Sequence, residues 1–143
     1  MLLAIVSLGN SVFAAWKECP SVEEEFKSSA SVFVGKVVSA KNIWEPGDFI
    51  AGTFYKIQVE ELLKGSPSNI IEVYCENSSG RFPMDVGVAY LVFAYSGVFE
   101  GVNGSRLAID CCGNSGTLKE AGKALAIARK LRQTKAQSGQ HRR

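Results

Sequence analysis

The residues able to do chemistry in this chain are few. In 143 residues there are four cysteines, Cys19, Cys75, Cys111 and Cys112, and a single histidine, His141, beside the C-terminus. One histidine at the extreme end of the chain removes Ser-His-Asp triads, Cys-His dyads and His-rich metal centres from consideration, because each needs an imidazole held in the ordered body. The acids Glu60, Glu61, Asp85 and Asp110 have no histidine or second acid at a spacing that would fix a proton-transfer geometry, and Asp110 beside two cysteines reads as structural. The triplet Glu23, Glu24 and Glu25 has the look of a carboxylate cluster, but its position fits a helix start better. The expectation is therefore a protein without catalytic residues, metal ligands or cofactor.

What remains is cysteine chemistry, and its form depends on the compartment. Residues 1–14 are uncharged and mostly apolar and give way at Ala15 to polar sequence; Val12 and Ala14 are small enough for the −3 and −1 positions of a signal-peptide cleavage site. That predicts export, to the periplasm or the extracellular space, and a mature chain starting at Ala15, although no Lys or Arg precedes the apolar run. Four cysteines in an exported chain favour disulfides with three possible connectivities, and no C-x-x-C pair points to zinc or a redox site. On a strand, adjacent Cys111 and Cys112 point to opposite faces, so they should reach two different partners, Cys19 and Cys75.

These groups need a scaffold, and the composition supplies one. Hydrophobic residues make up 46% and charged residues 21%, which predicts one soluble domain over residues 15–133 with no membrane span and no need of a partner subunit. Charge is divided unevenly. Residues 1–116 carry eight bases and thirteen acids, whereas residues 117–143 carry eight bases and one acid, a net of +7. No aromatics are interleaved with the C-terminal bases, so they read as a solvated helix face and a disordered basic tail over 134–143 rather than a nucleic-acid site.

Ser21 with Glu24 has capping-box spacing, and Val22 and Phe26 stand four apart, so a short amphipathic helix follows Pro20. A β-branched run, Val32 to Val38, is broken at Gly35, where a bulge would let the strand coil. Asn42–Gly52 reads as a loop. Further strands are expected over Thr53–Leu63, Ile70–Cys75, Gly87–Tyr95 and Arg106–Cys112. Thr117 with Glu120 repeats the capping-box spacing at the head of a second helix, whose stripe comprises Leu118, Ala121, Leu125, Ala128 and Leu131, flanked by Ala124 and Ile127. The fold class expected is mainly β: a five-stranded antiparallel barrel of OB type, with a short N-terminal helix and a C-terminal helix packed on it.

The ordered set Cys19-Pro-Ser-Val-Glu-Glu-Glu-Phe, Ala30-Ser-Val-Phe-Val-Gly-Lys-Val, Val59-Glu-Glu-Leu-Leu-Lys-Gly, Gly87-Val-Ala-Tyr-Leu-Val-Phe, and Cys112 six residues before Leu118, resembles the tissue inhibitor of metalloproteinases (TIMP) and netrin-like (NTR) superfamily. Its small bacterial members are the nearest in pattern, and the likeness runs from Cys19 to about Leu131. The resemblance implies an OB-type barrel flanked by helices. It also implies a Cys19–Cys112 bridge, leaving Cys75 and Cys111 to bond each other. The family's usual Cys-x-Cys opening is altered: Lys17 stands at the first cysteine, and Ser79 stands where its turn partner would be. In the family, the α-amino group and carbonyl of an N-terminal cysteine take the open position on a protease zinc. Here that would require cleavage immediately before Cys19.

The resemblance thus implies a secreted, monomeric protein-binding domain whose partner is an extracellular or periplasmic protein, a metalloproteinase among them. Candidate contact residues are Trp16, Lys17, Cys19, Pro20, Trp44 and Tyr55, with Phe49 as a further aromatic anchor. The competing reading is an OB-fold module that binds an oligosaccharide or another anionic ligand on the strand face around Phe54, Tyr55 and Lys56.

Overall fold

A computed structural model describes residues 18–140. The segment expected to be a signal peptide, Trp16, Lys17 and His141 lie outside the described residues. Helix α1 spans Val22–Ser28; strands follow as β1 Ser31–Glu45, β2 Phe49–Lys64, β3 Ile70–Glu76, β4 Ala89–Val98, β5 Ser105–Ala108 and β6 Gly116–Thr117, and helix α2 closes the chain at Gly122–Gln140. The strands pair in the order β1-β2-β3-β5-β4-β6, and β1 also pairs with β4, so five of them close into a ring. The fold is mainly β, as the alternation predicts. One seam departs from the expected antiparallel pairing: β5 runs parallel to β3, at Tyr74 opposite Ala108.

Register shifts shape the ring. The β1–β2 ladder slips between Val32 and Phe33, Val34 and Gly35, Val37 and Ser39, and Ile43 and Trp44. Each slip raises the local twist, which lets β1 pair with β2 along one edge and β4 along the other. At Gly35 the crossing is so close that a β-carbon would sit 2.6 Å from Ile57 Cγ2 and 2.7 Å from the Gln58 carbonyl oxygen.

Alternation along the strands builds two cores. Phe33, Val37, Tyr55, Ile57, Val73, Tyr90, Val92 and Ile109 fill the ring, while Val32, Val34, Leu91 and Phe93 on the opposite faces of β1 and β4 meet Val22, Phe26, Ala121 and Ala128 of the helical layer. The alanines let α2 approach the sheet closely, with Ala124, Leu125, Ile127 and Leu131 completing the contact. Two arginines of α2 clasp Glu61 of β2, at 2.8 Å from Arg129 and 3.0 Å from Arg132.

Several sequence expectations change. Asn42–Gly52 is a hairpin rather than a loop: both strands continue to a three-residue turn, where Gly47 and Asp48 take positive φ. Strand β5 ends at Ala108, not Cys112, because residues 110–115 bend toward α1. The Thr117–Glu120 capping box forms, Glu120 donating its N–H to Thr117 Oγ1, yet the regular helix starts at Gly122 and leaves Leu118 exposed. Helix α2 continues to Gln140, through the stretch expected as a disordered tail.

Candidate functional site

Two surfaces bring sequence-predicted residues together. The first is the ridge where the chain enters the fold. Ser21 caps α1: it accepts the Glu24 N–H, and Glu24 accepts the Ser21 N–H in return. A disulfide joins Cys19 to Cys112, 93 residues away. A second tie lies beneath it, where Glu25 Oε2 accepts both the backbone N–H and the side-chain amide of Asn114, each at 2.7 Å, and the same amide donates to the Pro20 carbonyl. Gly113 leaves room for this contact, since a β-carbon there would displace the Glu25 carboxylate. Glu18, Cys19 and Pro20 are thereby held as a rigid, accessible edge.

That edge borders a cleft of about 370 Å³, lined by Glu18, Glu24, Glu25 and Asp110 together with Phe93 and Tyr95. Among the described residues, no Lys or Arg lines it. Burial pushes the Glu25 carboxyl above the usual range, against the two Asn114 hydrogen bonds that hold it down; the Asp110 charge adds to the rise. Burial also pushes the Tyr95 phenol up, with the Asp110 charge the next cause. Asp110 accepts the Cys112 N–H at 2.9 Å, the structural role its position suggests. Among the described residues, no group of three or more His, Cys, Asp or Glu side chains is placed to hold a metal ion.

The second surface is the tip of the β1–β2 hairpin. Trp44 is 61% exposed and Phe49 69%. Trp44 lies opposite Ile50 and Phe49 opposite Glu45, so the two aromatics sit on opposite faces of the ribbon. Tyr55 does not join them. It faces the ring interior at 6% exposure, and its hydroxyl accepts the Met84 N–H, so it is a core residue and its expected contact role is withdrawn.

The cysteines divide unequally. Beside the Cys19–Cys112 bridge, Cys75 and Cys111 are free, contrary to the expected second bridge. Cys75 points into the ring, where its sulfur meets the N–H and carbonyl of Phe82, while exposed Cys111 turns toward the Ser79 carbonyl; the 77–82 segment holds each thiol on its own side.

On the outer face of β2 and β3, Phe54 of the competing reading meets three residues that sequence reading missed, Arg106, Tyr74 and Phe99. The Arg106 guanidinium stacks 5.6 Å from the Phe54 ring, beside a chain of aromatics running Phe54, Tyr74, Phe99. Arg106 Nε is buried with no hydrogen-bond partner among the described residues. The signal was the pairing of Phe54 with Tyr74 across two strands, which a one-dimensional reading cannot register. Compared with known proteins, the chain matches no family model and no curated protein.

Proposed function

We propose that the chain is an exported, non-enzymatic protein-binding domain of TIMP/NTR type, its five-stranded ring an OB-type barrel, and that it grips a partner protein with the hairpin tip and the Cys19–Pro20 ridge. The observation that carries this reading is the pair Trp44 and Phe49. Two large aromatics left in water on both faces of a two-stranded ribbon serve no core, and such side chains are the residues that dominate interface energetics. The disulfide supports export, since such bonds persist in oxidising compartments. No helix among the described residues is long and apolar enough to cross a membrane.

A metalloproteinase is the partner the ridge favours. Because the edge is fixed by a disulfide and by Asn114, little ordering cost attends its insertion into a cleft. Two forms of the protein, one beginning at Ala15 and one at Cys19, titrated against a panel of zinc metalloproteinases, provide the test. Only the Cys19 form should inhibit, and Trp44→Ala with Phe49→Ala should weaken binding at least tenfold without lowering the melting temperature. Equal binding by the double variant would overturn the hairpin's role, and inhibition by neither form would remove metalloproteinases as partners.

Arg106 favours a second reading, an anionic or sugar ligand held against the half-buried Phe54 and Phe99 rings, with buried Tyr74 as their support. Loss of glycan or acidic-oligosaccharide binding in Arg106→Gln, with Trp44 intact, would separate the two.

A further inference from the structure

Helix α1 and the C-terminal half of α2 enclose an open groove of about 480 Å³ on the side of the molecule defined by the two helices. Phe26 and Leu131 line it, together with Lys27, Lys64 and Lys135; Glu23 is the one acid among the lining residues. Lysine stems extend apolar surface while their ammonium groups stay at the rim. Three cations of one sign around an apolar floor are unbalanced by a single carboxylate.

The placement of Lys64 narrows what could balance them. Its Nζ donates to the Phe26 and Lys27 carbonyls at 2.7 and 2.8 Å and lies 5.7 Å from the centre of the Phe26 ring, which fixes the ammonium at the C-terminal end of α1. An ammonium has three protons, so one remains for a further acceptor. Burial pulls the Lys64 ammonium below the usual lysine range, and the positive charge of Lys135 lowers it further, so the two amines repel across the groove. Arg132, one turn earlier on α2, is already paired with Glu61. Among the described residues, Lys64 and Lys135 are thus near enough to act on each other without an acid paired to either, and α1, at seven residues, gives the groove wall a length of only about 10 Å.

We propose that this groove binds a single-chain anionic amphiphile, its hydrocarbon chain along Phe26 and Leu131 and its carboxylate or phosphate between Lys64 and Lys135. A partner helix bearing spaced acids would need a longer wall and a row of bases. The inference stands apart from the protein-binding proposal and uses neither the hairpin nor the ridge.

Calorimetric titration with dodecanoate below its micelle concentration tests it, with dodecyltrimethylammonium and dodecyl maltoside as cationic and uncharged controls. One dodecanoate should bind per chain, at least tenfold more tightly than either control, and added salt should weaken it. Leu131→Asp should abolish binding. Lys64→Gln should weaken it but also loosens α1, so the decisive variant is Lys135→Gln, whose exposed side chain lies near the end of α2; it should cost at least threefold and reduce the salt dependence with the melting temperature unchanged. Equal affinity for the three amphiphiles, or wild-type affinity in Lys135→Gln, would overturn the proposal. So would adsorption to anionic phospholipid vesicles without any binding of monomeric dodecanoate, which would make the helices a membrane-surface patch instead.

Discussion

Glu25 and Glu61 are both partly covered carboxylates, and their surroundings drive them in opposite directions. For Glu25 burial outweighs the Asn114 hydrogen bonds and the carboxyl is raised; the folded state then binds a proton more tightly than the unfolded chain, so stability falls as pH rises from the ordinary carboxylate range through the raised value. For Glu61 the Arg129 hydrogen bond dominates and the carboxyl is lowered; its contribution is present above the ordinary range and is lost as pH falls through the depressed value. Thermal unfolding as a function of pH should resolve the two. Glu25→Gln keeps an oxygen acceptor for Asn114 and should flatten the decline above the ordinary range, whereas Glu25→Ala should cost about 1–3 kcal/mol at every pH by removing the acceptor of the Asn114 backbone N–H and of one amide proton, leaving only the bond to Pro20. Glu61→Gln should cost under about 1 kcal/mol, less in high salt, because the pair is largely solvent-screened. The sequence showed Glu23, Glu24 and Glu25 as one acidic helix start, and all three lie in the first turn of α1. It could not show that Glu25 turns inward, because its partner Asn114 is 89 residues distant and the contact depends on the bend after β5.

At the level of elements, the β1–β2 hairpin and helix α2 show where one-dimensional reading succeeds. Gly35 was legible as a break in a β-branched run, and it is a register slip where β1 passes against the Gln58 backbone. Because that neighbour is main chain and cannot swing aside, Gly35→Ala should destabilise by about 1–3 kcal/mol in chemical denaturation, while Gly122→Ala, at the open start of α2, should stabilise by a few tenths or more. A loss smaller than that of an exposed β-strand substitution would mean that the crossing relaxes. The hairpin tip was misjudged for an identifiable reason. Pro46-Gly47 marks a turn, but the polar and mixed residues around it hide strands that project beyond the core and therefore carry no alternation. The same projection leaves Trp44 and Phe49 unburied, so the signal that failed for structure is the one that carries the functional proposal. For α2, the alanine-rich stripe gave the packing face, whereas its end was placed too early because the last two turns bear no apolar repeat.

For the whole molecule, the decisive arrangement is a closed ring with one covalent tie from its entry ridge to the bend after β5. The tie encloses α1 and β1 to β5, so its removal frees a loop of 93 residues, and Cys19→Ala with Cys112→Ala should cost about 2–5 kcal/mol. The two other thiols report on the rest of the fold. Cys75 is buried in the ring and its thiol is pushed up by that burial, although the Phe82 N–H pulls in the opposite direction; Cys111 is exposed. Thiolate and access together govern alkylation, so a maleimide should modify one cysteine of the native protein promptly and a second only as the ring opens. On reduction the intact mass should rise by about two hydrogens, one cystine's worth. A rise of about four, with no native labelling, would mean that oxidation draws Cys75 and Cys111 together. That would require the 77–82 segment to leave its hydrogen bonds with both sulfurs, and the rate of the second labelling step measures how readily it does so. Labelling of Cys75 slower than global unfolding has no place in this arrangement, whereas labelling at the unfolding rate ties the segment to the ring core, and faster labelling marks it as a locally opening unit.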